Sequence, residues 1–486
     1  MSTINLLKTL FHYLTRAGQW CYRYPLAGGV LLSMLSSVYL INNFAVVNRS
    51  ALAGLWRLQQ PDSVANSIFD SLLLTLSHWF AVDVVGAGHL LMIAAHMLLL
   101  VLLLLIARQL YLAKISRWAL IFLLLAHPSY NDFRAYILPE PLFWCVWLFA
   151  IWILLKYYRS HTIAAIMTWF VVFLLATQLT VAAWFWLLLF PFGALFWKPW
   201  RRKTVAYALL GYAVIVIILL FLPVYQGISP MDWVIETVLS NPNSLAEVLG
   251  LNQSNWVKEE NSLMAGVFVF SGATSLVVIR ILIAFGLICG GLVLYAVLRR
   301  QYTIIDQERL RILIYVAAFD LFISVVLFVL DKDGGSLVSF SLSLLLFLPA
   351  ALGLSYIFKK MATQRYSRLS TLVIVWCLVA YVASGFIIFG PRKDYLKTAG
   401  IYAAKQLSDR PLYANDAFFL FYAGKNPEQS TSWAAMQTTA PEQAFYYAYD
   451  KNRNRKLPKT LQGKTPIQRF ANQRGDTLLI YAFEHQ

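Results

Sequence analysis

"HPSYNDFRAYILPEPLFWCVW", residues 127–147, sets an Asp, an Arg, a Glu and three prolines between two apolar runs. Charges beside hydrocarbon are costly unless they are paired, solvated or used. If the flanking runs cross a membrane, Asp132, Arg134 and Glu140 lie in a tight turn between two spans. Pro139 and Pro141 then stand at the start of the second run. A missing N–H costs least there, because the first helical turn has no intrahelical acceptor. The prolines thus hold Glu140 at a rigid helix start.

The rest of the chain supports that premise. Of its 486 residues 59% are hydrophobic and 13% charged, and the mean hydropathy is +0.63. Apolar runs of about 20 residues recur, each long enough for a hydrocarbon core of roughly 30 Å. The composition is that of a polytopic α-helical membrane protein. The pattern predicts about eleven spans, near 26–47, 88–107, 118–128, 137–155, 163–179, 181–197, 204–223, 275–298, 312–330, 336–358 and 369–390. Alternate gaps collect Lys and Arg: "KPWRRK" at 198–203, Arg299, Arg300, Arg309 and Arg311, then Lys359, Lys360, Arg365 and Arg368. These gaps are predicted to be cytoplasmic. The N-terminus is then inside and the C-terminus outside. The net charge of +17 has this membrane source and implies no nucleic acid.

Two regions follow. Residues 1–390 form a transmembrane module with outer loops at 48–87, 129–136 and 224–274, and 391–486 form a small extracytoplasmic α/β domain. Within the latter, "KDYLKTAGIYAAKQLSD" has helical spacing and "PLYAND", "AFYYAYD" and "DTLLIYAF" read as strands. "FFLFYAGK" reads as a helix ending in Gly, and "TPIQRFANQRG" as a further helix. No cleavable signal peptide is apparent at the N-terminus.

Chemistry on the outer side rests on few residues. Asp62, Asp132 and Glu140 are candidate carboxylates for deprotonating an acceptor hydroxyl. Arg134, Lys258, Arg280 and Lys332 are candidate cations for a lipid-linked phosphate, Arg through paired hydrogen bonds. The competing reading makes Asp132, Arg134 and Glu140 a local ion-pair network that fixes two helix ends. Asp320, inside a span, either pairs within the bundle or belongs to a polar path. The seven histidines form no HExxH-like pair and the four cysteines no CxxC pair, so a metal centre has no support in the sequence. A divalent-metal requirement stays open. There is no P-loop, dinucleotide fingerprint or nucleophile elbow.

The layout resembles the GT-C glycosyltransferases, among them lipid A aminoarabinose transferases and protein O-mannosyltransferases. Two stretches carry the resemblance by residues: "HPSYNDFRAYILPEPLFW" and the tail "DYLKTAGIYAAKQLSDRPLYANDAFFLFYAGK" with "RFANQRGDTLLIYAF". It implies transfer of a hexosyl or pentosyl group from a polyprenyl-phosphate carrier to an envelope glycan, lipid or protein. The setting would be the periplasmic side of a bacterial inner membrane, in polysaccharide biosynthesis. Glu140 would be the acidic residue of the turn, and displacement at the anomeric carbon would be inverting. Several charged positions expected of the family are missing. No acid stands between the first span and Asp62, "DKDGGSLVSFSLSLLLFLP" offers only Lys332, and "LLATQLTVAAWF" is uncharged. Two alternatives follow: a catalytically reduced GT-C-like subunit of a polysaccharide assembly or secretion complex, and a lipid-linked-sugar flippase or transporter.

Overall fold

The structure is a computed structural model. It describes residues 23–44, 49–60, 65, 67–157, 162–180, 182–189, 210, 213, 262–330, 335–363, 366–386, 394–438, 443–451, 456–472 and 475–484. The helices are α1 (Pro25–Phe44), α2 (Arg49–Leu58), α3 (Ile68–Phe80), α4 (Val84–Gln109), α5 (Lys114–Leu125), α6 (Pro128–Ala135), α7 (Glu140–Tyr157), α8 (Thr162–Ala176) and α9 (Ala182–Leu189). They continue with α10 (Ser262–Leu298), α11 (Gln307–Leu330), α12 (Gly335–Ala362), α13 (Arg368–Phe386) and α14 (Asp394–Gln406). The chain ends in β1 (Leu412–Ala414), α15 (Ala417–Tyr422), α16 (Trp433–Thr438), β2 (Phe445–Lys451), α17 (Lys459–Gln462), β3 (Gln468–Ala471) and β4 (Thr477–Phe483).

Among the described residues seven helices are long and apolar enough to cross a membrane: α1, α4, α7, α10, α11, α12 and α13. The predicted 163–179 run appears as α8, and α9 is the described part of 181–197. The predicted 204–223 run lies almost wholly outside the described residues. The 118–128 run departs from expectation. Its helix, α5, has 12 residues, or about 18 Å at 1.5 Å per residue, well short of roughly 30 Å.

The helix that follows, α6, is not a surface turn. His127 caps it, its Nδ1 accepting from the Tyr130 N–H at 3.3 Å, with Pro128 in the first turn. The helix is sunk in the bundle: Tyr130, Asn131, Arg134 and Ala135 are buried. Its neighbours set its depth. Arg134 reaches Ser33 of α1, and the Ser33 hydroxyl donates to the His96 carbonyl of α4 at 3.5 Å. His96 lies twelve residues into α4, so this level is about 18 Å below that helix's N-terminal end.

A break in α10 receives the other side of α6. Gly286 has φ +75° and ψ 157° inside an otherwise helical segment, a conformation glycine adopts without Cβ strain. The helix loses backbone pairing there. Side chains from the start of α6 replace it: Ser129 donates to the Ala284 carbonyl at 2.9 Å, and His127 Nε2 meets the Phe285 carbonyl at 3.1 Å. One imidazole tautomer, with its proton on Nε2, satisfies both His127 contacts.

Residues 394–484 build a four-stranded sheet in the order β1-β2-β4-β3, with β1 parallel to β2 and the other pairs antiparallel. "TPIQRFANQRG" is corrected here: it holds β3, not a helix. Burial alternates along Gln468–Ala471, and Ile467 N–H donates to the Ile480 carbonyl at 2.8 Å. Asn472 and Asp476 close the hairpin through side-chain and backbone bonds of 2.9 and 3.0 Å. The period is two, and turn chemistry outweighs helix propensity.

One face of the sheet is finished by the other end of the chain. Tyr446, Ala448, Leu478 and Ile480 share a core with α14 and α15, with Leu52, Leu55 and Leu58 of α2, Leu73 of α3, and Val84, Leu91 and Met92 of α4. The 48–87 segment is therefore largely helical. Ser67 caps α3 by accepting from Asp70 N–H, and Asp83 caps α4 by accepting from Gly86 N–H. The end of the bundle carrying this shared core is its tail side.

Candidate functional site at the seam between bundle and tail

Glu140 begins α7 where two hydrophobic cores meet. Ile137, three residues before it, belongs to the tail-side core, Phe143 to the bundle core, and Leu142 packs against both. The helix start is made as the prolines suggest: the Pro139 carbonyl accepts from Leu142 N–H at 3.1 Å and Phe143 N–H at 3.2 Å. Ile137 is fully buried against Gly88 of α4, where an added Cβ would lie 2.8 Å from Ile137 Cδ1. Close approach here requires glycine. Further down, Cys145 Sγ meets the Ala95 carbonyl at 3.1 Å, so α4 and α7 descend side by side from the tail side.

In this setting Glu140 Oε2 is buried and has no hydrogen-bond partner. Among the described residues Glu140 forms no ion pair either. An unpaired carboxylate oxygen costs desolvation free energy that nothing local returns. Beside Gly88, His89 has a buried Nδ1 without a partner and interacts electrostatically with Asp83 and with Lys397 of α14. A tail residue and bundle residues thus meet on one side of the seam. Sequence reasoning missed His89; its position one turn into a span, after the capping Asp83, was the available signal.

The predicted trio of charges does not assemble. Asp132 is exposed on α6, whereas Arg134 is fully buried. Residues two apart on a helix do not share a face, and Glu140 lies beyond an extended stretch. Arg134 turns to α1 instead. Its Nη1 donates to the Ser33 carbonyl at 3.2 Å and to Ser37 Oγ at 3.4 Å, and its Nη2 to Ser33 Oγ at 3.2 Å. Its Cζ lies 4.7 Å from the Tyr130 ring centre. The ion-pair network is replaced by an Arg–serine cluster, and Arg134 does not orient Glu140.

Of the remaining candidates, Asp62, Lys258 and Lys332 lie outside the described residues. Arg280 is exposed on α10, six residues before the Gly286 break, with its guanidinium 4.7 Å from the Phe328 ring centre. Asp320 is paired within the bundle: its Oδ2 accepts from the Ser341 hydroxyl at 2.6 Å. Among the described residues no three His, Cys, Asp or Glu side chains gather closely enough to hold a metal ion.

This architecture has solved counterparts. One is ArnT from Cupriavidus metallidurans bound to undecaprenyl phosphate, 11% identical, covering 94% of this chain and 97% of its own with a TM-score of 0.51. Another is the Archaeoglobus fulgidus oligosaccharyltransferase tethered with an acceptor peptide containing the NVT sequon. It is 11% identical over 89% of this chain and 70% of its own, with a TM-score of 0.53. The apo form of that oligosaccharyltransferase matches at 13% identity with a TM-score of 0.51. The fold is that of the GT-C membrane glycosyltransferases. At these identities the likeness speaks for the GT-C fold alone. No family model and no curated protein matches the chain. Glu140 lies where the helical bundle meets the α/β layer.

Proposed function

We propose that the protein is a glycosyltransferase that moves a sugar from a polyprenyl-phosphate donor to an envelope glycan, lipid or protein, with Glu140 as the general base. The observation that carries this is the buried, unpartnered Glu140 Oε2 at the seam between the two cores. Removing a proton from an acceptor hydroxyl is work such an oxygen can do. The acceptor oxygen forms a bond to the anomeric carbon, the bond from that carbon to the phosphate oxygen breaks, and the electron pair leaves with polyprenyl phosphate. Arg280, with Lys258 and Lys332, is our candidate for steadying that phosphate. The fold likeness to ArnT bound to undecaprenyl phosphate supports a lipid carrier as the donor class. The Lys/Arg distribution supports a periplasmic tail and a cytoplasmic N-terminus.

Glu140→Gln tests the assignment, because it keeps the shape and removes the base. The expected result is a folded protein with an unchanged melting temperature and a product yield lower by about 10²–10⁴ in rate. Glycan profiling of cells carrying only the variant reads the product. Full modification by Glu140→Gln removes the residue from the mechanism. The enclosure of Arg134 by α1 serines favours a second reading, a GT-C-like subunit that binds and assembles without turnover. On that reading Glu140→Gln changes neither glycan yield nor stability.

A further inference from the structure

A cluster of cations and tyrosines lies at the end of the bundle opposite the tail side. Contacts fix that end: Arg309, at the start of α11, donates to the Gln109 carbonyl that closes α4, and Ser116 of α5 donates to Ser355 Oγ of α12 at 2.9 Å. α10 and α12 run to it side by side. Gly353 of α12 lies against the Leu292 carbonyl of α10, where an added Cβ has no room. Three residues further along each helix, the Tyr295 and Tyr356 rings meet at 5.9 Å between centres. Each chain segment then sets a cation, four residues on, over its own tyrosine. Arg299 Cζ lies 5.7 Å from the Tyr295 ring centre, and Lys360 Nζ 5.0 Å from that of Tyr356. Tyr366, in the turn before α13, closes the cluster. Its hydroxyl pairs with the Tyr295 hydroxyl at 2.9 Å, and Lys360 Nζ lies 5.8 Å from its ring centre.

Two features of the cluster are left uncompensated. One proton of the Tyr295–Tyr366 pair joins the two hydroxyls, and the other has no acceptor among the described residues. The cations lack a counter-charge as well: among the described residues no carboxylate lies within 4.0 Å of Arg299, Lys360 or Arg368. Tyrosine faces hold cations but leave their charge in place. The positive end of the α13 dipole adds to it, since that helix begins two residues after Tyr366. The cluster is also open. Arg299 is exposed and Lys360, Tyr295 and Tyr366 are half-buried, so a ligand reaches them from outside the bundle. Its flanks are apolar. α13 is tied to α10 at two places, by the tyrosine pair and by the Tyr381 hydroxyl to Cys289 Sγ at 3.2 Å. Between these ties no residue from Arg368 to Ala380 is buried. Leu294 and Leu298 on α10, with Leu369, Leu372 and Trp376 on α13, are each more than half exposed. An apolar wall that ends in cations and a spare hydroxyl donor fits an amphiphile with an anionic head.

We propose that the tyrosine cluster at the shared end of α10, α12 and α13 binds the headgroup of an anionic phospholipid of the phosphatidylglycerol class. The phosphodiester lies between Arg299 and Lys360 and accepts the spare tyrosine proton. The acyl chains follow the exposed faces of α10 and α13. A zwitterionic lipid carries the same phosphate, but its ammonium meets the two cations and is repelled. The lipid belongs to the leaflet opposite the tail and is separate from the seam that holds Glu140.

The test is native mass spectrometry of the full chain released from detergent micelles, with phosphatidylglycerol or phosphatidylethanolamine of matched acyl chains added. One phosphatidylglycerol should bind about tenfold tighter than phosphatidylethanolamine. Arg299→Gln and Lys360→Gln should each weaken it about fivefold, and together about 25-fold. Tyr366→Phe keeps the ring beneath Lys360, drops the hydroxyl and should weaken binding about threefold. Lys359→Gln removes an equal charge from an exposed neighbour outside the cluster and should leave affinity unchanged. Equal affinity for the two lipids overturns the proposal. A loss in Lys359→Gln as large as in Lys360→Gln overturns it too, because charge at this end then acts without a site. Inorganic phosphate that displaces the lipid at equal concentration reduces the ligand to a bare anion and has the same consequence. No readout depends on glycosyl transfer, so the proposed reaction can fail without affecting this result.

Discussion

Gly88→Ala puts a methyl group where the structure has no room. The new Cβ would lie 2.8 Å from both Cδ1 and Cγ2 of Ile137. Carbon atoms rest at about 3.5–4.0 Å, so the two groups must separate by roughly 0.7–1.2 Å. Ile137 is 0% exposed and has no open side to move into. Overpacking of this kind costs about 1–3 kcal/mol. Replacing a mid-helix glycine by alanine returns about 1 kcal/mol, so the net loss is small, roughly 0–2 kcal/mol. The larger effect falls on Glu140, three residues further along the same extended segment. A displacement near 1 Å at a reacting group costs on the order of 10²-fold in rate. The variant should therefore melt within a few degrees of the parent and make at least tenfold less product. Gly54→Ala is the control, because its Cβ meets nothing within 4 Å and should cost nothing. Adding Ile137→Ala to Gly88→Ala should restore product relative to Gly88→Ala alone, a coupling that a double-mutant cycle isolates. Gly88→Ala with full product would refute the reasoning, since Ile137 would then yield without carrying Glu140 along.

Further outcomes follow from other parts of the molecule. A reporter fused after Gln486 should be active outside the cytoplasm and one inserted within 299–311 active inside; the reverse pair would invert every loop assignment. Arg280→Ala should weaken capture of a polyprenyl phosphate in a lipid pull-down while leaving extraction and melting normal, and unchanged capture would reduce Arg280 to an interfacial side chain. In the tail, the Tyr395 hydroxyl donates to Asp450 Oδ1 at 2.6 Å; burial first, and the Asp450 carboxylate second, raise its pKa above the usual 10. A raised folded value means that its stabilisation is complete below about pH 10 and declines as pH climbs from there toward the folded value. Alkaline melting curves should show this decline in the parent, and Tyr395→Phe should flatten it while lowering Tm at neutral pH by about 1 kcal/mol equivalent.

Hydropathy alone made most of the bundle legible, because about 20 apolar residues have few other uses. The seam residue Glu140 was also legible, since two prolines around an acid mark a helix start. Depth was not. "HPSYNDFR" has the composition of a surface turn, and only its partners show that it is sunk. The signal lay elsewhere, in Ser33, Ser36 and Ser37, which share one face of the first span at helical spacing. Three hydroxyls on one side of an apolar helix call for a polar neighbour, and Arg134 is that neighbour. The Gly286 break was hidden because an isolated glycine in an apolar run has many benign uses. β3 was misread because five polar residues around one Phe mimic an exposed helix. The Asn472-to-Asp476 closure, which overrides that pattern, acts at a distance of four residues.

The core shared by the tail with α2, α3 and α4 has a consequence for how the chain is made. Leu58 and Leu396 belong to the same cluster but leave the ribosome more than 330 residues apart. At roughly 5–20 residues per second this is an interval of about 17–70 s. Throughout it, an apolar surface on α2 and α3 waits without its cover while most of the spans are still being inserted. Until then the bilayer surface or a chaperone must shield that patch. A chain truncated before α14 would keep the seven candidate spans of the described residues and still display the patch permanently. Quality control could therefore recognise unfinished copies by their first loop, long before any product is missed.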